Sequence, residues 1–328
     1  TSYVEANPES NGFSRFDILL DGRYSSWIKF ANSLRMRLAM RISAVEPDKA
    51  CVEFQEGLNN EYGVFEAETE RVAVSTKSGY TNPLGELNLV WNETYMSASM
   101  ESILTGYDDP RIAVYFAPCT DEQFKNTYRG IRQGTCFSHS HYAGLSKLTV
   151  TQTTDAPLMT SSEIWFLRAE AALRGWAGLP KTDAKKYYEE GIRASMNYYE
   201  IDADAEGQQK IDNYINHLAG MKAFTSGSDE EQLEQIITQK WLAVYPNGNE
   251  GWAEVRRTDY PRYLLLPRYG NNSNGEVENT KLIKRISYPN SESRNPLKPD
   301  YTQGTRVWWD VADTMDDSGK WHTPNNFR

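Results

Sequence analysis

The sequence predicts a mainly α protein: a scaffold of helical hairpins with long irregular loops and a few short strands. Three observations carry this. The stretch Trp27–Ser43 (WIKFANSLRMRLAMRIS) repeats apolar residues at helical spacing. Ser162–Trp176 and Thr182–Glu200 do the same one after the other, as the two arms of a hairpin do. Residues 61–110 and 117–160 lose periodicity, the first punctuated by Gly63, Gly79, Pro83, Gly85, Gly106 and Pro110.

Thr1–Asn11 is polar and carries no signal peptide. Phe13–Asp21 leads into the first long helix. At about 100° per residue, Trp27, Ala31, Leu34, Leu38 and Ile42 fall in one arc, widened by Ile28, Phe30 and Ala39. Ser26 stands where an N-cap belongs, and Pro47 stops the run. Arg35 and Arg41 fall inside the apolar arc and Arg37 at its edge. A charge there is costly unless a carboxylate or carbonyls meet it, so the helix is expected at the centre with its arginines in a polar network. The plainer alternative lays the arginine stems on apolar surface with their heads in water. Pro47–Asn60 reads as a second helix with Ala50, Val52, Phe54 and Leu58 as its apolar positions, closing a hairpin.

In the irregular part, Met96–Leu104 reads as a short helix, and Ile112–Phe116 and Lys147–Thr151 as short strands. Order returns at Ser162. One apolar stripe is Ile164, Leu167 and Ala171; the other is Trp165, Ala169, Ala172 and Trp176. Glu163, Glu170 and Arg174 leave only a narrow polar stripe, so this helix packs on two sides. In its partner, Ala184, Tyr188, Gly191, Ile192, Ser195, Met196 and Tyr199 keep one face. Small residues, Ala169, Ala171, Ala172 and Gly191, allow the two axes to approach. The pair resembles a tetratricopeptide-type unit. A weaker helix, Gln208–Leu218, follows. Ser228–Tyr245 opens with a capping box of Ser228 and Glu231 and has Leu233, Ile236, Ile237, Trp241 and Val244 on its apolar face. Asn247–Asn249 breaks it, and Trp252–Arg257 starts another turn of helix ended by Pro261. Asn271–Gly275 is a turn-rich loop, and Lys281–Tyr288 a strand or extended arm.

Composition excludes several functions. The net charge of −10 argues against nucleic acid, which needs a basic face. With a mean hydropathy of −0.67 and no apolar run long enough, no helical segment spans a membrane. Aromatics make up 12%, with 20 Tyr, 11 Phe and 9 Trp; an aromatic-rich, acidic surface suits neutral sugars, although most of these rings are expected to fill core. Of the three cysteines, Cys51 reads as a buried thiol, and Cys119 and Cys136 flank loops that a disulfide could join. No zinc module, nucleophile elbow, zincin, P-loop or dinucleotide fingerprint occurs. His139-Ser140-His141 could set two imidazoles on one side of an extended segment, with no third ligand in view. Carboxylate pairs are plentiful, but none stands out as an acid and a base.

Four blocks, in order along the chain, resemble one family: W-x-K-F-A-N-S-L-R-x-R-L-A-x-R-I from Trp27, SEIWFLRAEAALRG from Ser162, QKWLAVYPNGNEGWAEVRRTDYP from Gln239, and RISYP from Arg285 with Glu292 and Asn295-Pro296 behind it. The approach Phe16-Asp17 to Gly22, the triplet Asp109-Pro110-Arg111 and the run Val307–Asp310 (VWWD) agree with this. The blocks are similar to those of the SusD/RagB family, glycan-binding lipoproteins of the outer membrane. The resemblance implies a SusD-like, tetratricopeptide-like scaffold as a single domain over 1–328. It also implies a precursor longer at its N-terminus, with signal peptide and lipidated cysteine. The ligand would be an oligosaccharide or polysaccharide. The partner would be a SusC-like TonB-dependent transporter that the protein covers like a lid. The place would be the cell surface, held to the outer membrane through a lipid anchor absent from this chain. Neither catalysis nor a cofactor is implied; a structural calcium ion in a loop stays open. Two other classes also stay open: a peptide-binding member of the same family, and a glycoside hydrolase on a helical scaffold.

Loops held still by a rigid scaffold are where binding residues sit. In loops 61–110 and 117–147, Tyr80, Trp91 and Tyr128 are the expected stacking platforms, and Asn92, His139 and Tyr142 the expected hydrogen-bonding partners of sugar hydroxyls. Trp165, Trp241, Trp252, Trp308 and Trp309 sit inside the resembling blocks and read as core.

Overall fold

The first helical hairpin is launched by one carboxylate. In the computed structural model, which describes residues 2–7, 10–76, 79–201, 204–262, 283–286, 288–294, 306–315, 321–322 and 326–327, a short α1 (Ser2–Ala6) precedes a turn gathered on Asp17. Asp17 accepts from the backbone N–H of Gly22 and from Trp27 Nε1, both at 2.7 Å. The helix α2 (Tyr24–Arg41) therefore starts before Ser26, which caps nothing; Arg23 is the N-cap residue and makes no side-chain cap bond.

Its buried side also differs from the expected arc. Ala31 is exposed and Leu38 is 57% exposed, while Asn32, Ser33, Met36, Ala39 and Met40 are buried. Two polar side chains lie inward because the loop behind α3 (Pro47–Leu58) needs them. Asn32 Nδ2 donates to the Gly63 carbonyl at 2.8 Å, and Ser33 Oγ accepts from Phe65 N–H at 3.0 Å. On α3, Ala50 and Phe54 are buried and Val52 is exposed.

The irregular region holds more order than the sequence indicates. β1 (Arg71–Val74) is followed by α4 (Pro83–Leu89), α5 (Ala98–Gly106) and α6 (Ile112–Tyr115). The expected strand at Ile112–Phe116 is thus a helical turn, started by Asp109, whose Oδ1 accepts from the Arg111 N–H at 2.9 Å. Lys147–Thr151 is not a strand either, beyond one bridge between Phe116 and Leu148. The buried side chain of Asn88 takes the carbonyls a neighbouring strand would take, donating to Leu148 at 2.8 Å and Val150 at 2.9 Å. The strand that forms is β2 (Ala156–Thr160), antiparallel to β1.

The long hairpin is α7 (Ser161–Leu173) with α8 (Ala184–Tyr198). α7 serves two cores, as its two stripes require. Ile164, Leu167 and Ala171 pack with Met36 and Phe54 of the first hairpin. Ala169 and Ala172, with Phe166 and Leu173, pack with Ile192 and with helices α9 (Ala205–Met221) and α10 (Asp229–Ala243). Two tryptophans leave the second stripe: Trp165 is only partly buried, and Trp176 lies past the helix end against Phe54, in the other core. α10 carries the expected capping box of Ser228 and Glu231. Asn247 caps α11 (Gly248–Thr258), which ends on Asp259 in the left-handed region. A third core joins Met96, Leu104, Tyr115 and Phe116 to Leu242. Near the C-terminus β3 (Thr314–Met315) pairs with β4 (Trp321–His322).

Of the tryptophans expected in the core, Trp308 is 71% exposed, and Trp241, Trp252 and Trp309 are partly buried. Trp309 lies under two cations, Arg41 and Arg256. The cysteines are all free. Cys119 is buried against Ser146 Oγ and Cys136 is exposed, so no disulfide joins them; Cys51 is partly buried rather than sealed. Asn271–Gly275, Lys281, Leu282, Ser287 and Asn295-Pro296 lie outside the described residues, and Ile283–Ile286 form no strand.

Candidate functional site

An open aromatic surface stands where α4 ends. Asn82 caps this helix, its Oδ1 accepting from Leu84 N–H at 3.0 Å. Gly85 lies hard against Thr151, where a Cβ would come within 2.1 Å of the carbonyl carbon. Asn88 pins the next turn. The helix end is therefore fixed, and Leu89, Val90 and Trp91 stand out from it, Trp91 at 62% exposure. Asn92 then takes a left-handed backbone (φ 57°), a conformation Asn tolerates better than most residues, and redirects the chain toward α5.

Opposite lies a single 3-10 turn, His139–His141. His139 Nε2 is 3.2 Å from Asn92 Nδ2 and 3.0 Å from the Tyr95 hydroxyl. The Tyr95 hydroxyl is also 3.3 Å from Asn92 Oδ1 and 3.5 Å from the Ala143 carbonyl. Tyr142 closes the group edge-on, its ring centre 5.1 Å from Tyr95 and 5.3 Å from His139. Burial, and then the Tyr142 phenol, push the Tyr95 hydroxyl above its usual acidity range, against the pull of the Asn92 hydrogen bond.

The structure thus brings together three of the six residues named from sequence, Asn92, His139 and Tyr142, beside a fourth, Trp91. Tyr128 packs instead against the third core, and Tyr80 is half-buried in the loop before α4. Tyr95, at the centre, escaped the sequence reading. Its signal was weak but present: a tyrosine three residues after Asn92, just ahead of the α5 cap at Ser97. The patch offers ring faces, an amide, an imidazole and two phenols, with no carboxylate among them. That set can stack on an apolar ring and trade hydrogen bonds with hydroxyls.

Other constellations have structural roles. His141 does not face His139 as a co-ligand; its Nδ1 lies 2.9 Å from Ser138 Oγ and its ring stacks on Phe137. Among the described residues, no three His, Cys, Asp or Glu side chains gather as metal ligands do. A small cleft between β2 and the end of α10 is lined by Leu158, Glu163, Tyr198, Tyr245 and Asn247. Both oxygens of Glu163 are taken by Arg37, so this carboxylate is not free for acid or base work. No helix among the described residues is long and apolar enough to cross a membrane.

A family model described as "Susd and RagB outer membrane lipoprotein" matches residues 1–310. Several solved structures are similar over nearly the whole chain. A SusD homologue from Bacteroides vulgatus is 35% identical with a TM-score of 0.82, over 94% of this chain and 68% of that one. A chitin-binding SusD homologue from Flavobacterium johnsoniae is 33% identical with a TM-score of 0.80, over 94% and 69%. A SusD-like protein from Bacteroides thetaiotaomicron is 30% identical with a TM-score of 0.77, over 95% and 69%. No curated protein matches.

Proposed function

Because the chain belongs to the SusD and RagB family of outer membrane lipoproteins, we propose that it captures neutral oligosaccharides at the cell surface and passes them to a TonB-dependent, SusC-like transporter. The contact surface in this reading is Trp91 with Asn92, Tyr95, His139 and Tyr142. One observation carries it: Asn92 and His139, far apart in sequence, converge on Tyr95 beside an open indole. An apolar sugar face stacks on Trp91 while amide, imidazole and phenol replace water on its hydroxyls. Each exchange of a water hydrogen bond for a protein one gains little, so binding is modest per sugar and is built up along a chain. The chitin-binding relative from Flavobacterium johnsoniae supports a glycan as cargo.

This role is capture without bond cleavage. A hydrolase needs two carboxyl groups flanking the scissile bond, whereas none of the five patch residues is a carboxylic acid. Calorimetry of the full chain against chito-, cello-, xylo- and malto-oligosaccharides and against oligopeptides tests the reading. Binding of a neutral glycan that is lost in a Trp91→Ala, His139→Ala double variant supports it. Binding of peptides alone, or release of reducing sugar, refutes it. Co-purification with an outer-membrane barrel tests the partner separately.

A further inference from the structure

We propose that Tyr95 is the positioning residue of this patch: its hydroxyl fixes the Asn92 amide, and the amide in turn holds the His139 ring with its proton on Nδ1, so that Nδ1–H is the donor offered to a ligand oxygen. The inference rests on reading the patch as the glycan surface, and it adds which group donates and what sets it.

Two polar groups reach one ring nitrogen. The Tyr95 hydroxyl is 3.0 Å from His139 Nε2, and Asn92 Nδ2 is 3.2 Å from the same atom. An amide nitrogen can only donate, so the nitrogen facing it accepts and carries no proton. In a neutral imidazole the proton then sits on Nδ1, because the partner of one ring nitrogen fixes the state of the other. Nε2 has one lone pair, taken by the Asn92 amide, so the phenol gives its single proton to Asn92 Oδ1 at 3.3 Å and thereby fixes which end of the amide faces the ring.

Tyr95 acts through its neighbours rather than on the ligand. Its ring is held edge-on by Tyr142, and its hydroxyl is engaged by Asn92 and His139, with the Ala143 carbonyl 3.5 Å away. Asn92 keeps its left-handed backbone where its side chain is tied to both Tyr95 and His139. Such a conformation persists only where the surroundings hold it in place. The proton on Nδ1 also matches an uncharged ligand: a neutral N–H donates to a hydroxyl or carbonyl oxygen without requiring an anion.

The test uses the full chain labelled with ¹⁵N-histidine. Long-range ¹H–¹⁵N correlation spectra at neutral pH identify the protonated ring nitrogen, with His139→Gln giving the assignment. The wild type is expected to show His139 protonated on Nδ1. Tyr95→Phe keeps the ring against Tyr142, and is expected to move His139 toward the Nε2–H form that free imidazole side chains favour. It should also weaken binding of the probe, chitotriose, roughly tenfold. Asn92→Gly keeps the left-handed backbone, removes the amide, and should shift the tautomer in the same direction. A wild-type Nε2–H form overturns the proposal. So does a Tyr95→Phe variant that loses affinity with the tautomer unchanged, since that outcome leaves Tyr95 a merely structural part. If wild type binds neither chitotriose nor any other neutral glycan, the glycan reading fails, while the spectra still decide the role of Tyr95.

Discussion

Arg37 of α2 closes on both oxygens of Glu163 of α7, Nε to Oε1 at 2.7 Å and Nη2 to Oε2 at 2.5 Å. The pair begins a buried chain of charge. Arg41 reaches Glu250 at 2.5 Å, and Lys240 lies 3.3 Å from Glu254. Arg257 grips Glu170 at 2.7 and 2.8 Å and Glu254 at 2.6 Å. Four helices, α2, α7, α10 and α11, are thereby tied at one level. This is the polar network that Arg37 and Arg41 of the central helix require; Arg35 instead stays 40% exposed and pairs with Glu53 of α3.

Removing one carboxylate from that chain leaves buried cations short of counter-charge. Glu163→Ala takes from Arg37 its two-pronged partner, leaving Glu250 at 3.7 Å, and leaves Lys240 with Glu254 alone. The expected loss is about 3–5 kcal/mol, read as a lower midpoint in urea. Glu122→Ala, which breaks an exposed pair with Lys125, is expected to change stability by less than about 0.5 kcal/mol.

The same carboxylates set the acid limit. Burial pushes Glu163 up, but Arg37 and Lys240 outweigh it and hold it below its ordinary value of 4.5. Burial likewise opposes, and Arg257 overcomes, at Glu170 and Glu254. A carboxyl whose folded value is lowered contributes stability above its unfolded value and loses it as pH falls. The melting temperature should therefore drop once pH falls below about 4.5. Asp310 runs the other way: burial outweighs Lys284 and raises it to about 6. Its contribution is full below 3.8 and is lost as pH rises through about 6. Melting curves of Asp310→Asn against wild type should favour the variant progressively from pH 4 to pH 7.

The hairpins were legible because their signals are local. Two stripes on Ser162–Trp176 implied two cores, and two cores flank α7. Ser228 and Glu231 announced a helix start through residues three apart. What escaped depends on distant partners. Leu38 points outward because Asn32 and Ser33 are needed inward by the 63–65 loop. Lys147–Thr151 has the residues of a strand, yet only its edge toward Tyr115 and Ala117 meets backbone, and the Asn88 side chain takes the Leu148 and Val150 carbonyls on the other. In the patch, Asn92, His139 and Tyr142 could be named by residue type and loop position. Tyr95 could not, because its importance lies in meeting a histidine 44 residues away.

The α7–α8 contact is tight enough to test with one methyl group. A Cβ at Gly191 would sit 2.7 Å from the Phe166 ring, which is fully buried and has nowhere to retreat. Gly191→Ala should cost about 1–3 kcal/mol despite the better helix propensity of Ala. Gly220→Ala is the control: it lies in α9 with nothing within 4 Å of the added carbon. There the propensity acts unopposed, and the variant should match or exceed wild type by up to about 1 kcal/mol. Urea denaturation of both separates close packing from backbone effects.

Trp91 tests the surface itself. Its side chain is 62% exposed, so Trp91→Ala is expected to leave the denaturation midpoint within about 0.5 kcal/mol of wild type. Its loss should fall on binding: removing a stacking platform worth about 1 kcal/mol or more weakens a bound neutral oligosaccharide at least about fivefold. Trp308 is the matched comparison. It is 71% exposed but belongs to the C-terminal segment held through Lys284 and Asp310, away from the α4 end. If any open indole could serve, Trp308→Ala would weaken binding as much as Trp91→Ala. If the convergence on Tyr95 matters, calorimetry shows the loss in Trp91→Ala alone, and the two variants remain equally folded.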